Sequence, residues 1–97
     1  MDDQLKKDPF KTMFGTNPRA KVILLFLNRQ GERFSKSAIS RLTNVSRQHV
    51  GEHCDALVSV GVLQKAGITY IFRSYHRVGQ ALMNLYKSLK NMEDKKL

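Results

Sequence analysis

The chain has 97 residues, which suits one domain with a modest core. A hydrophobic share of 41% excludes a wholly disordered protein, and a formal net charge of +9 favours a polyanionic partner, most simply nucleic acid. The basic excess is not confined to a tail, since Arg19 to Arg77 holds ten Lys or Arg against Glu32, Glu52 and Asp55. A general, nonspecific basic surface or charge that only aids solubility is the competing reading.

In chain order, Met1 to Phe14 begins polar and mixed in charge, and Leu5, Phe10, Met13 and Phe14 then appear among lysines. Residues 1–14 read as an N-terminal arm that packs on the body or a partner chain, or probes a DNA groove with Lys6, Lys7 and Lys11. Nothing there looks like a signal peptide, and Val22 to Leu27 is too short to cross a membrane, so the cytoplasm is the expected location and no membrane partner is expected. Residues 15–77 read as the main domain and 78–97 as a C-terminal helix with a frayed tail.

Asn17 suits a helix N-cap and Pro18 the first helical position, where its missing N–H costs nothing. Arg19 to Asn28 is then the first helix, its nearly continuous apolar run Val22 to Leu27 calling for burial over much of its surface, with Gly31 as the stop. Ser35 is the N-cap of a second helix, Ser35 to Leu42, with Ala38, Ile39 and Leu42 inward and Lys36, Ser37, Ser40 and Arg41 outward. Thr43 and Asn44 begin a turn that Val45 plugs. Ser46 caps a third helix reaching Val60, where Val50, Cys54, Leu57 and Val58 form one apolar stripe. At 100° per residue, Gln48, Glu52 and Asp55 point away from that stripe, with Arg47, His49 and Gly51 nearer its edges. Gly61 can end the helix with a positive φ. Cys54, the single cysteine, has no disulfide partner in the chain and reads as a small buried hydrophobe.

Val62 to Lys65, an Ala66–Gly67 turn and Ile68 to Arg73 read as a hairpin. Both of its faces carry apolar residues, so alternation does not choose the buried one. Val78, Leu82, Leu85, Leu89 and Met92 then recur at the four–three spacing of a coiled-coil seam. Little more than two heptads is weak alone, so the stripe must rest on something. Pairing across a two-fold axis is the economical answer, and packing on the chain's own domain is the alternative.

The segments FGTNPRAKVILLFL (Phe14 to Leu27) and FSKSAISRLTNVSRQHVGEHCDALVSVGVLQK (Phe34 to Lys65), followed by a hairpin and a last helix, resemble the winged helix-turn-helix transcriptional regulators of archaea and bacteria. The first segment looks particularly like small archaeal members. The resemblance implies an α+β fold: a three-helix core, a short β-hairpin wing and a C-terminal dimerisation helix built on Val78, Leu82, Leu85, Leu89 and Met92. It implies a homodimer that binds double-stranded DNA sequence-specifically and represses or activates transcription, repression being the expectation. The helix Ser46 to Val60 would enter the major groove. The chain departs from the family pattern at Gly51, where a longer side chain is common, and at a wing tip without Arg or Lys. Close approach to DNA is one compensation for the helix propensity that Gly51 gives up.

On this reading base edges fall to Arg47, Gln48, His49 and Glu52, because arginine forks onto guanine, glutamine onto adenine, and a carboxylate accepts from cytosine. Phosphates fall to Arg19, Lys21, Arg33, Lys36, Arg41, Lys65, Arg73 and Arg77, with Ser35 and Ser46 at helix starts. His49 and His53 bracket Glu52 as H-V-G-E-H, one place off the metalloprotease order, and no third ligand lies near in sequence, so no metal site is expected. No Gly-rich phosphate loop, no carboxylate pair in an apolar context and no nucleophile with a base is present, which argues against an enzyme. No residue pattern calls for a cofactor, and none names a small-molecule effector. The rival function is an architectural or protein-interaction winged helix with only nonspecific nucleic-acid binding.

Overall fold

The structure is a computed structural model that describes residues 13–15 and 17–95, with side chains through Asn91. The helices are α1 (Pro18–Asn28), α2 (Lys36–Thr43), α3 (Arg47–Ser59) and α4 (Arg77–Lys95). The strands are β1 (Phe34–Ser35), β2 (Leu63–Ala66) and β3 (Thr69–Phe72), in one antiparallel sheet of order β1-β3-β2. This α+β arrangement of helices and a small antiparallel hairpin is compatible with a winged-helix-like topology.

Capping chemistry sets the helix starts. Asn17, Ser35 and Ser46 each stand in extended backbone and accept from the N–H of Ala20, Ala38 and His49 respectively, satisfying a donor that has no partner inside the helix. The turn from α2 to α3 is held from both sides. Asn44 takes φ +64°, its N–H bonding Ser40 O at 2.8 Å, while the Ser40 hydroxyl donates to Val45 O at 2.5 Å. Thr43 Oγ1 donates to Ile39 O at 2.6 Å, and Val45 is buried beneath the turn. The expected inward place of Leu42 is corrected here: Leu42 is 44% exposed, and Thr43, one step round the helix, takes the buried position with its hydroxyl satisfied by the backbone.

The core joins α1 (Val22, Phe26, Leu27), α2 (Ile39), α3 (Val50, Cys54, Leu57), the sheet (Phe34, Leu63, Tyr70, Phe72) and α4 (Met83, Tyr86, Leu89). Phe26 and Phe34 meet edge to face at 5.4 Å between ring centroids. The sequence does not reveal β1. Its two residues pair with Tyr70 and Thr69, so it exists only because β3 lies beside it.

The hairpin register pairs Leu63 with Phe72, Gln64 with Ile71, Lys65 with Tyr70 and Ala66 with Thr69. Its tip is therefore Gly67–Ile68, not Ala66–Gly67. Gly67 has φ +64° and Ile68 does not have positive φ, the pattern of a II′ turn, whose twist matches that of the strands. The buried face carries Leu63, Tyr70 and Phe72.

Two glycines let α4 close on the body. A Cβ on Gly79 would collide with the Arg73 carbonyl, and one on Gly61 with the His76 ring. Gly61 also sits at φ +89°, where L side chains are strained. The buried line of α4 runs Gly79, Met83, Tyr86 and Leu89. Tyr86 further hydrogen-bonds Asn28 Oδ1, and Gln30 Nε2 reaches Met83 Sδ at 3.0 Å. Among the described residues no helix is long and apolar enough to cross a membrane.

Candidate nucleic-acid interface

The first turns of α2 and α3 and the hairpin border one concavity of about 430 Å³. It is lined by Ser35, Lys36, Ser37, Arg47, Lys65, Gly67, Ile68 and Tyr70. Lys36, Arg47 and Lys65 place three cations around it. They are there for separate reasons: Lys36 opens α2, Arg47 opens α3, and Lys65 is carried by the register that pairs it with Tyr70. The Lys65 ammonium stands 5.9 Å from the Tyr70 ring centroid. None of these cations forms an ion pair among the described residues, where the ion pair present is Arg29–Glu32 at 3.6 Å.

Of the four residues expected to read bases, Arg47, Gln48, His49 and Glu52 are all exposed on the N-terminal half of α3. The capping hydroxyl of Ser46 also hydrogen-bonds His49 Nδ1 at 2.8 Å, which fixes that ring beside the helix start. Gly51 is buried, and its lack of a side chain is used within the protein. A Cβ there would lie 3.3 Å from Lys36 Nζ, so the lysine stem crosses α3 at the glycine. This internal packing supplies a structural reason for Gly51 that requires no DNA.

The expected phosphate contacts are more scattered. Ser35, Lys36 and Lys65 border the concavity, and exposed Ser46 adjoins Arg47. Arg33 lies elsewhere, in a hollow of about 310 Å³ with Gln30, Gln64, Ile71 and Tyr75. Gln64 and Ile71 form the hairpin pair adjacent to Lys65 and Tyr70, so the two hollows flank opposite faces of the hairpin. Arg73 stacks on Tyr75 at 5.1 Å, and its Nε is buried without a hydrogen-bond partner. Arg19, Lys21, Arg41 and Arg77 are exposed on α1, α2 and α4. Arg19 Nε donates to His53 Nδ1 at 3.0 Å.

Burial, then the Arg19 charge, pulls the His53 pKa below its ordinary value, favouring the neutral ring that accepts this bond. Burial, with Asp55 adding to it, pushes the Cys54 thiol up to about 11. It stays protonated at neutral pH and behaves as a core hydrophobe. Burial, then Asp55, also raises the Tyr70 phenol, whose buried hydroxyl has no hydrogen-bond partner. Among the described residues no group of three or more His, Cys, Asp or Glu is gathered as metal ligands require.

The residues expected to pair two chains divide. Val78 is 40% exposed, Leu82 and Leu85 are half-buried against the core, and Leu89 is buried. Met92 lies beyond the described side chains, as does all of the expected arm except Met13 and Phe14, which are exposed. Phe14, Ile23 and Leu82 help line a cleft of about 190 Å³ between the start of α1 and α4.

Sequence reasoning misses Ser37, Tyr70 and the exposed Ile68 as neighbours of the basic residues. The hairpin register, once fixed by the Gly67–Ile68 turn, would have put Tyr70 beside Lys65. The meeting of the hairpin with the start of α2 carries no local sequence signal. No family model matches the sequence, and neither a curated protein nor a solved structure matches it.

Proposed function

We propose that this protein binds double-stranded DNA sequence-specifically as a homodimer and regulates transcription, as a repressor. The observation that carries the reading is the exposed start of α3, with Arg47, Gln48, His49 and Glu52, beside a concavity edged by Lys36, Arg47 and Lys65. In this reading α3 enters the major groove by its N-terminal half. Arg47 forks onto guanine, Gln48 pairs with adenine, and Glu52 accepts from cytosine or orients its neighbours. Lys36 and Lys65 hold flanking phosphates, aided by the N–H groups at the starts of α2 and α3. Those contacts set affinity and its salt dependence without carrying sequence information.

The second copy docks against exposed Val78 and the half-buried Leu82 and Leu85, an apolar strip continuing toward Phe14 and Ile23. Dimer geometry must then present two α3 helices about 34–36 Å apart, one turn of duplex. The test is binding of the pure protein to genomic fragments at near-physiological salt with excess competitor DNA, followed by footprinting. One protected fragment containing an inverted repeat is the expected result. Loss of every fragment equally as competitor rises would overturn sequence-specific regulation and favour the architectural reading.

A further inference from the structure

We propose that Ser46 is a positioning residue whose hydroxyl holds His49 in the tautomer with its proton on Nε2, so that α3 offers a hydrogen-bond donor there and selects guanine over cytosine. This rests on the double-stranded DNA reading above and names the base that one position of α3 takes.

The Ser46 hydroxyl serves two groups of the same residue. Its oxygen accepts from the His49 backbone N–H at 3.3 Å, which is the helix cap, and it lies 2.8 Å from His49 Nδ1. A serine hydroxyl has one hydrogen and two lone pairs. With a lone pair already given to the backbone, the O–H donating to a bare Nδ1 satisfies the hydroxyl and the ring within the first turn of α3. The ring's proton is then on Nε2, because a neutral imidazole carries one proton and the partner of one nitrogen decides the state of the other. His53, one turn along α3, shows the same arrangement with a partner that leaves no choice. Arg19 Nε donates to its Nδ1 at 3.0 Å, and a guanidinium has no lone pair to offer, so that proton also stands on Nε2.

The fixed tautomer has a consequence for reading DNA. His49 is exposed on the N-terminal half of α3, between Gln48 and the open face that carries Glu52. In the major groove guanine presents two acceptors, N7 and O6, whereas cytosine presents only its N4 amino donor. A ring that offers Nε2–H meets a partner at guanine and an opposed donor at cytosine. Adenine and thymine each offer one acceptor, adenine with an amino group beside it, so guanine is the most favourable of the four. Leaving a desolvated donor unpaired makes the rejection of cytosine about tenfold.

The experiment compares the full chain with Ser46→Asn, Ser46→Asp and His49→Ala. Asn and Asp cap helices as serine does, and thermal melts confirm that each variant folds. Nitrogen NMR of the histidine rings at pH 8.5, above the ordinary imidazole pKa of about 6.5, reads the tautomers without DNA. The parent is expected to show a protonated Nε2 at His49, with His53 as the internal reference. Ser46→Asn should keep that state, since its amide caps through oxygen and donates through nitrogen. Ser46→Asp should reverse it at His49 alone, since a carboxylate only accepts. Selection from random duplexes then reads base choice. The parent should prefer guanine to cytosine about tenfold at one position, Ser46→Asn should keep the preference, and His49→Ala should lose it. Ser46→Asp should exchange guanine for a base with an amino group, cytosine or adenine. A parent with its His49 proton on Nδ1, or a Ser46→Asp protein that reverses the tautomer yet selects the same base, would overturn the proposal and leave DNA binding standing. A parent that enriches no sequence would overturn both this base choice and the sequence-specific reading.

Discussion

The two ends of the hairpin illustrate two uses of sequence. At its base, the chain is closed: Gly61 and Gly79 admit the His76 ring and the Arg73 backbone, and α4 lays Met83, Tyr86 and Leu89 on the core. At its tip, the chain is open: Gly67 and Ile68 stand in free space beside Lys65, Lys36 and Arg47. A change at the base must disturb folding because there is no room for the atoms it adds. A change at the tip leaves the fold alone and alters what the surface can hold.

That contrast can be broken or sharpened experimentally. The largest effect is expected at Phe26→Ala, which empties a fully buried site against Phe34 and should cost about 3–5 kcal/mol. A thermal melt would register it as a Tm fall of roughly 4–8 °C for each kcal/mol. Next is Gly79→Ala, which forces a Cβ onto the Arg73 carbonyl and should cost about 2 kcal/mol, measured by urea titration. If Gly79→Ala proves neutral, the base of the hairpin is not closed as described. On the open side, Arg47→Ala should weaken binding to the footprinted site by about 1–3 kcal/mol while moving stability by less than about 0.5 kcal/mol. A matching loss of stability would move Arg47 from the open region to the closed one.

Tyr70→Phe is expected to raise stability by about 1 kcal/mol, because it deletes a buried hydroxyl that has no partner. The smallest effect belongs to His53. Its folded-state pKa lies below the ordinary 6.5, so the neutral ring is favoured by folding and protonation opposes it. The stability it contributes is present above about pH 6.5 and is lost as pH falls through the lower, folded-state value. His53→Gln should flatten that part of the stability–pH profile. An unchanged profile would show that the bond from Arg19 does not depend on the neutral ring.

The sequence made much of the fold legible where signals are local. The three capping residues, the positive φ at Gly61 and the burial of Val50, Cys54 and Leu57 follow from neighbours a few residues away. Local signals run out where two surfaces compete for one element. Leu42 has the helical phase of a core residue, but Thr43 is nearer the packed side. The α4 stripe at Val78, Leu82, Leu85 and Leu89 has a regular seam spacing, whereas the body covers the line Gly79, Met83, Tyr86 and Leu89. The two lines share Leu89, and periodicity does not tell which of them the domain itself will cover.

The candidate site divides in the same manner. Sequence by itself determined that α3 would start at Ser46 and expose Arg47, Gln48, His49 and Glu52, because a cap and a 3.6-residue period are properties of one segment. It also determined the basic charge of the chain. Only the tertiary structure decided that Lys36, Arg47 and Lys65 border one hollow with Ile68, while Arg33 lies off the other side of the hairpin. It alone decided that Gly51 serves the stem of Lys36 and that Phe34–Ser35 becomes a strand. These arrangements depend on how the hairpin folds back over α2 and α3, and that packing is set by side chains distant in sequence whose apolar surfaces leave water together.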